Sequence, residues 1–90
     1  MYEFEWDEEK NLLNFKKHGY TFEEALKVFK DPNQLTLYDE KHSWDEARYF
    51  CIGNVNGVIL TVRFTVRNKK IRIFGAGRWR KGESIYEKRN

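Results

Sequence analysis

The chain has ninety residues, a net charge of +3, 17% aromatic side chains and one cysteine. A fold this short buries only about 60–65% of the surface its unfolded chain exposes, so one domain spanning residues 1–90 with an aromatic-rich core is expected. Cys51 alone forms no internal disulfide, the acidic start MYEFEWDEEK is unlike a signal peptide, and no apolar run reaches the roughly 20 residues of a membrane span. These features point to a soluble, cytoplasmic protein.

In FEWDEEKNLLNFKKHG a short apolar pair precedes Asp7, a helix N-cap followed by Glu8 and Glu9. Lys16, Lys17, His18 and then Gly19 supply a C-terminal stop. Leu12, Leu13 and Phe15, with Trp6, are expected to form the apolar stripe of this first helix. A second helix is read in TFEEALKVFKDP, where Thr21 and Glu24 make a capping box, Phe22, Leu26 and Phe29 recur at helical spacing, and Asp31-Pro32 ends the run.

From Leu35 the period changes to two. Leu35 and Leu37 alternate with Thr36 and Tyr38. After the polar DEKHSWDE loop come ARYFCIGN, VILTVRFTVR and KKIRIFGAG, with tight turns at Asn56-Gly57 and Asn68-Lys69. GESIYEKRN reads as a short closing helix or a loosely held end. The expected fold is α+β, with two N-terminal helices packed on one face of a four-stranded, mostly antiparallel sheet and a short C-terminal helix.

Charge divides the chain in two. Residues 1–47 carry twelve acidic side chains against six lysines, whereas residues 48–90 carry two acidic side chains against eleven basic ones and hold all seven arginines. Guanidinium groups grip phosphate with paired hydrogen bonds, so an anionic partner on one side is indicated, although arginines also serve simply as solvated strand residues. On VILTVRFTVR, alternation sends Leu60, Val62 and Phe64 toward the helices and Thr61, Arg63, Thr65 and Arg67 the other way. Arg48 and Arg72 join that second face if the register of their strands allows it.

Several segments, in order along nearly the whole chain, resemble those of the BrnT family of bacterial type II toxins. The matching stretches are FEWDEEK at 4–10, KHG at 17–19, TFEEALKVFKDP at 21–32, HSWDEARYFCIG at 42–53, TVR at 65–67 and IRIF at 71–74. Members of that family are small ribonucleases, similar in fold to the RelE toxins and neutralised by BrnA antitoxins. The resemblance departs at Gly77, where many members carry an arginine after the last strand. It implies a RelE-like fold, a metal-independent endoribonuclease that needs no cofactor, an RNA substrate and no membrane partner. It also implies a BrnA-like DNA-binding antitoxin, in a heterotetramer with two toxin copies. The alternative is a non-catalytic RNA-binding or antitoxin-binding module on the same fold.

Metal-free RNA cleavage needs attack by the 2′-hydroxyl, charge stabilisation at phosphorus and proton exchange. The expected catalytic set is Arg67, Arg48 and Arg80 for charge, with Glu46 and His42 for protons; Glu46 is equally a salt-bridge partner that orients Arg48, and His42 equally a turn residue. Expected substrate contacts are Lys17, Arg63, Arg78, Trp79 and Tyr86. Gly75 and Gly77 either let a phosphate approach the backbone or mark a β-to-α corner, while Trp79 either stacks on a base or packs inside. Tyr86 either acts at the site or anchors the tail. His18 is read as a helix-end cation only. One cysteine and two distant histidines offer no metal-ligand spacing, and GAGRWRKGES lacks the spacing of a phosphate loop.

Overall fold

In the computed structural model, which describes residues 2–90, the chain begins with β1 (Glu3–Trp6) and α1 (Glu8–His18). Next come α2 (Phe22–Ala25), prolonged by a 3₁₀ turn (Leu26–Lys30), then β2 (Leu35–Tyr38) and a second 3₁₀ turn (Glu40–His42). The rest is β3 (Arg48–Val55), β4 (Val58–Arg67), β5 (Lys70–Gly77) and α3 (Arg80–Arg89). Strand order is β1-β5-β4-β3-β2, with β1 parallel to β5 and the other neighbours antiparallel. Asn56-Gly57 and Asn68-Lys69 all have positive φ, the backbone that two-residue hairpins need to match strand twist.

The expected four-stranded sheet is therefore corrected to a mixed sheet of five. EFEW, read as a preamble to the first helix, is a strand whose Phe4 and Trp6 pair with Ile71 and Ile73. A four-residue strand gains its backbone partners only from a segment near the other end of the chain, so nothing local announces the pairing. Nor do two N-terminal helices share one face. α2 and its 3₁₀ extension cover the face made by Leu60, Val62, Phe64, Ile71 and Ile73, where Phe22, Ala25 and Val28 are fully buried. α3 packs on the opposite face, so closely that a Cβ at Gly82 would lie 2.5 Å from the Thr61 hydroxyl. The second helix also stops early: its capping box forms as expected, but after Ala25 the backbone tightens to 3₁₀ and ends at Asp31 in the extended conformation that a following proline favours.

On the core face an aromatic ladder crosses the whole sheet. Ring centroids are 5.1 Å apart for Phe4 and Phe29, 5.4 Å for Phe29 and Phe64, 5.4 Å for Phe64 and Tyr49, and 5.8 Å for Tyr49 and Tyr38. Each such pair contributes about 0.5–1.5 kcal/mol beyond its area burial, which lets a small core hold a long sheet.

α1 is the larger surprise. The expected apolar stripe points outward, with Leu12, Leu13 and Phe15 each more than half exposed, while Asn11 and Asn14 are buried. Hydrogen bonds dock this helix. Asn14 donates to the carbonyls of Tyr20 and Ala76 at 2.8 Å and accepts from the Ala76 N–H at 3.1 Å, so its amide extends the sheet edge where β1 has ended. Asn11 donates to Glu8 and Glu23 and accepts from the Phe22 N–H.

Candidate functional site

Register decides what the second sheet face carries. Opposite residues of paired strands point the same way, and the register sets Arg48 and Arg72 on either side of Thr65, Phe50 beside Arg63, and Lys70 beside Arg67. Arg48, Arg63, Arg67 and Arg72 therefore share one face. Between Arg63 and Phe64 the pairing slips by one, leaving Phe74 as the extra residue of a bulge. The bulge reverses the alternation of β5 and turns Gly75 and Gly77 onto the arginine face, opposite Arg63 and Thr61. The Arg48 guanidinium lies 4.7 Å over the Phe74 ring, and that of Arg63 lies 6.0 Å from the Phe50 centroid.

Carboxylates hold two of these four arginines, Arg67 and Arg72, in place. Arg67 donates to Glu46 through both Nε (2.9 Å) and Nη2 (2.8 Å), a bidentate pair. These bonds hold the Glu46 carboxyl below its ordinary value against a smaller desolvation effect, with the charges of Arg67, Arg48 and Arg72 adding to the shift, and they raise Arg67 in turn. Arg72 pairs with Glu5 at 3.3 Å, and Arg78 donates twice to Glu83, at 3.0 and 2.8 Å. The orienting partner of Arg67 is thus Glu46. Arg48 is steered by Phe74.

At the α1 end the face deepens into a cleft of about 290 Å³, to which Lys17, Arg63, Arg78 and Trp79 all contribute. Four of the five expected substrate contacts are therefore gathered there. The fifth, Tyr86, is elsewhere: it is buried on α3 and donates to Asp31 at 2.5 Å, a bond that raises its phenol to about 12. It anchors the tail. His42 points Nδ1 at Asp39, 2.9 Å away, and no bond joins it to Glu46 among the described residues. Arg80 begins α3, exposed and without a bonded partner among the described residues. Trp79 lies 4.9 Å from Phe50 in a tilted stack and is half-buried, so protein already covers one side of it.

Two residues that sequence reasoning passed over stand out. His18, read as a helix end, lines the cleft. Trp44, in the loop that carries Glu46, is 83% exposed. The loop itself is braced by the Ser43 hydroxyl, which donates to the Asp39 carbonyl at 2.6 Å and accepts from the Arg48 N–H at 2.9 Å. A tryptophan in a polar loop was the available signal for Trp44; for His18 it was its place in the KHG stretch at 17–19, which by itself says nothing of a cleft. Cys51 is buried, which pushes its thiol up to about 12 and keeps it from acting as a nucleophile.

The geometry defines a small α+β domain with one cationic, partly aromatic sheet face. A family model described as the ribonuclease toxin BrnT of type II toxin-antitoxin systems matches residues 6–83, and the chain belongs to this family. Its class is accordingly that of a ribonuclease toxin working opposite a protein antitoxin. No curated protein sequence matches the chain. Among the described residues no helix is long and apolar enough to cross a membrane.

Proposed function

We propose that the protein is an endoribonuclease that cuts single-stranded RNA by in-line attack of the 2′-hydroxyl, with guanidinium groups supplying the charge stabilisation. The convergence of Arg48, Arg63, Arg67 and Arg72 on one face, ending in the cleft that holds Lys17 and Arg78, carries this reading. Guanidiniums already oriented by Glu46 and Glu83 lose little freedom when they take up a phosphate, which suits transition-state charge better than mobile lysines do. Trp44, two residues before Glu46 in the same loop, offers an exposed ring for stacking on an unpaired base.

The antitoxin, in this reading, is a BrnA-like protein that lays carboxylates over the same arginines. Its other part binds DNA and dimerises, so that the complex holds two toxin copies. Silencing by occlusion follows from the chemistry, since groups that grip phosphate also pair with carboxylates. The test is to incubate the purified protein with a single-stranded RNA in the presence of a chelator and to map the ends. Fragments with cyclic phosphate and 5′-hydroxyl termini are expected. Loss of cleavage on chelation removes the metal-free mechanism, and salt-sensitive binding with no cleavage leaves a recognition module instead.

A further inference from the structure

The cleft holds a group for which the rest of the arginine face has no counterpart. Lys10, Lys17 and His18 reach it from α1, Arg63 from β4 and Arg78 from the segment leading to α3. Arg67, Arg72 and Arg78 each face a carboxylate, whereas Lys10, Lys17 and Arg63 have none among the described residues. Cations left unpaired at one concave place favour an anion there. Thr61, 5% exposed, brings to the same wall a hydroxyl that lacks a hydrogen-bond partner among the described residues.

His18 is the last residue of α1, and the helix closes just beyond it as Gly19, at φ 78, returns its N–H to the Phe15 carbonyl. The ring sits against the end of β5: a Cβ at Gly77 would fall 3.3 Å from His18 Cβ and Cγ and 3.6 Å from Nδ1. A side chain at residue 77 would press on the imidazole, which would have to give by a few tenths of an ångström. Neither ring nitrogen has a hydrogen-bond partner among the described residues, whereas Nδ1 of His42 is taken by Asp39.

We propose that His18 is a catalytic residue, the acceptor of the 2′-hydroxyl proton of an RNA whose phosphate is held by Arg63 and Arg78; this rests on the RNA-cleaving function proposed above. The 2′-oxygen bonds to phosphorus as its proton passes to the neutral imidazole, and the bond from phosphorus to the 5′-oxygen breaks. The departing oxygen takes a proton from water, giving a 2′,3′-cyclic phosphate and a 5′-hydroxyl. Groups that set the charge around the ring are Lys10 and Lys17 on its own helix, Arg63 on β4, and Arg78 with Glu83 of α3.

The experiment compares wild type with His18→Gln, each shown to be folded by its thermal midpoint. Cleavage of a short fluorescent RNA is followed from about pH 5 to about pH 9, the span in which a histidine base changes charge. Binding is read by anisotropy on the same oligonucleotide with deoxyribose at the scissile position, which cannot react. The expected result is a rate about 10²–10⁴-fold lower, with the pH dependence flattened and binding unchanged. An unchanged rate and profile in His18→Gln overturns the assignment of His18 and leaves the ribonuclease standing. A fall in affinity that matches the fall in rate overturns it as well, making residue 18 a binding group. Abolition of the profile by His42→Gln but not by His18→Gln moves the proton chemistry to the loop before β3 and overturns the assignment. Wild-type protein that binds RNA without cutting it overturns the ribonuclease reading itself.

Discussion

Glu46 and Arg67, twenty-one residues apart in sequence, meet as a bidentate ion pair at 2.8 and 2.9 Å on the edge of the arginine face. Glu46 comes from the loop before β3 and Arg67 from the last position of β4, so the pair ties the loop to the sheet. Its carboxyl lies below the ordinary range, and a group lowered in this way keeps its charge as pH falls until the lowered value is reached. The pair therefore persists through neutrality, and an arriving phosphate competes with a carboxylate for Arg67.

Arg67→Ala is expected to leave the thermal midpoint essentially unchanged and to reduce RNA cleavage about 10²–10³-fold, as loss of a preorganised charge donor does. Glu46→Gln is expected to tighten RNA binding, because it removes the competing charge. Single-turnover cleavage and anisotropy on the same RNA separate the two effects. A folded Arg67→Ala protein with full activity takes Arg67 out of the site, and a Glu46→Gln protein that binds normally but does not cut makes Glu46 a proton-transfer group.

Trp44, at 83%, is the most exposed large hydrophobic side chain among the described residues. If it stacks on a base, Trp44→Ala weakens RNA binding by about 1–3 kcal/mol with no change in stability. Quenching of tryptophan fluorescence on titration with RNA, lost in the variant, is the direct measurement. Equal affinities for the two proteins refute the stacking role.

Asn14 satisfies both the N–H and the carbonyl of Ala76 at the uncovered part of the β5 edge. Asn14→Ala strips partners from a buried backbone and is expected to cost about 2–3 kcal/mol in urea unfolding. Leu12→Ala, at a side chain 60% exposed, should stay within about 0.5 kcal/mol. The reverse order of these two effects would mean that α1 docks by its apolar side after all.

Asp31 fastens α3 to the rest of the fold, accepting from the Tyr86 hydroxyl and from the N–H groups of Asn54 and Asn33. Desolvation pushes its carboxyl up, but these bonds outweigh it and hold it below the ordinary value. A carboxyl lowered in the folded state contributes stability above its unfolded pKa and loses it as pH falls through the folded one. Tyr86→Phe is thus expected to cost about 1 kcal/mol at pH 7, below the usual range for a bond to a charged group because Asp31 is partly exposed, and less at about pH 3. Urea curves at the two pH values check this; a cost that grows on acidification contradicts it.

What the sequence by itself determined is local. Asp7, Thr21 and Glu24 cap helices where they stand, Gly19 ends α1, and Asn56-Gly57 and Asn68-Lys69 form the two hairpins, because each of these choices depends only on φ, ψ and neighbours a few residues away. Alternation along β4 likewise separated Phe64 from Arg63 and Arg67. Tertiary structure decided whatever depended on distant partners. EFEW became a strand only through β5, and Asn14 became the buried residue of α1 because Ala76 offered an unpaired backbone edge. A one-residue slip at Phe74 turned Gly75 and Gly77 to the arginine face and set Gly77 against His18. Charged side chains chose among several possible partners by proximity in the fold, so Glu46 took Arg67 and His42 took Asp39. Periodicity fixes which face a residue occupies; only register and packing fix what it meets there.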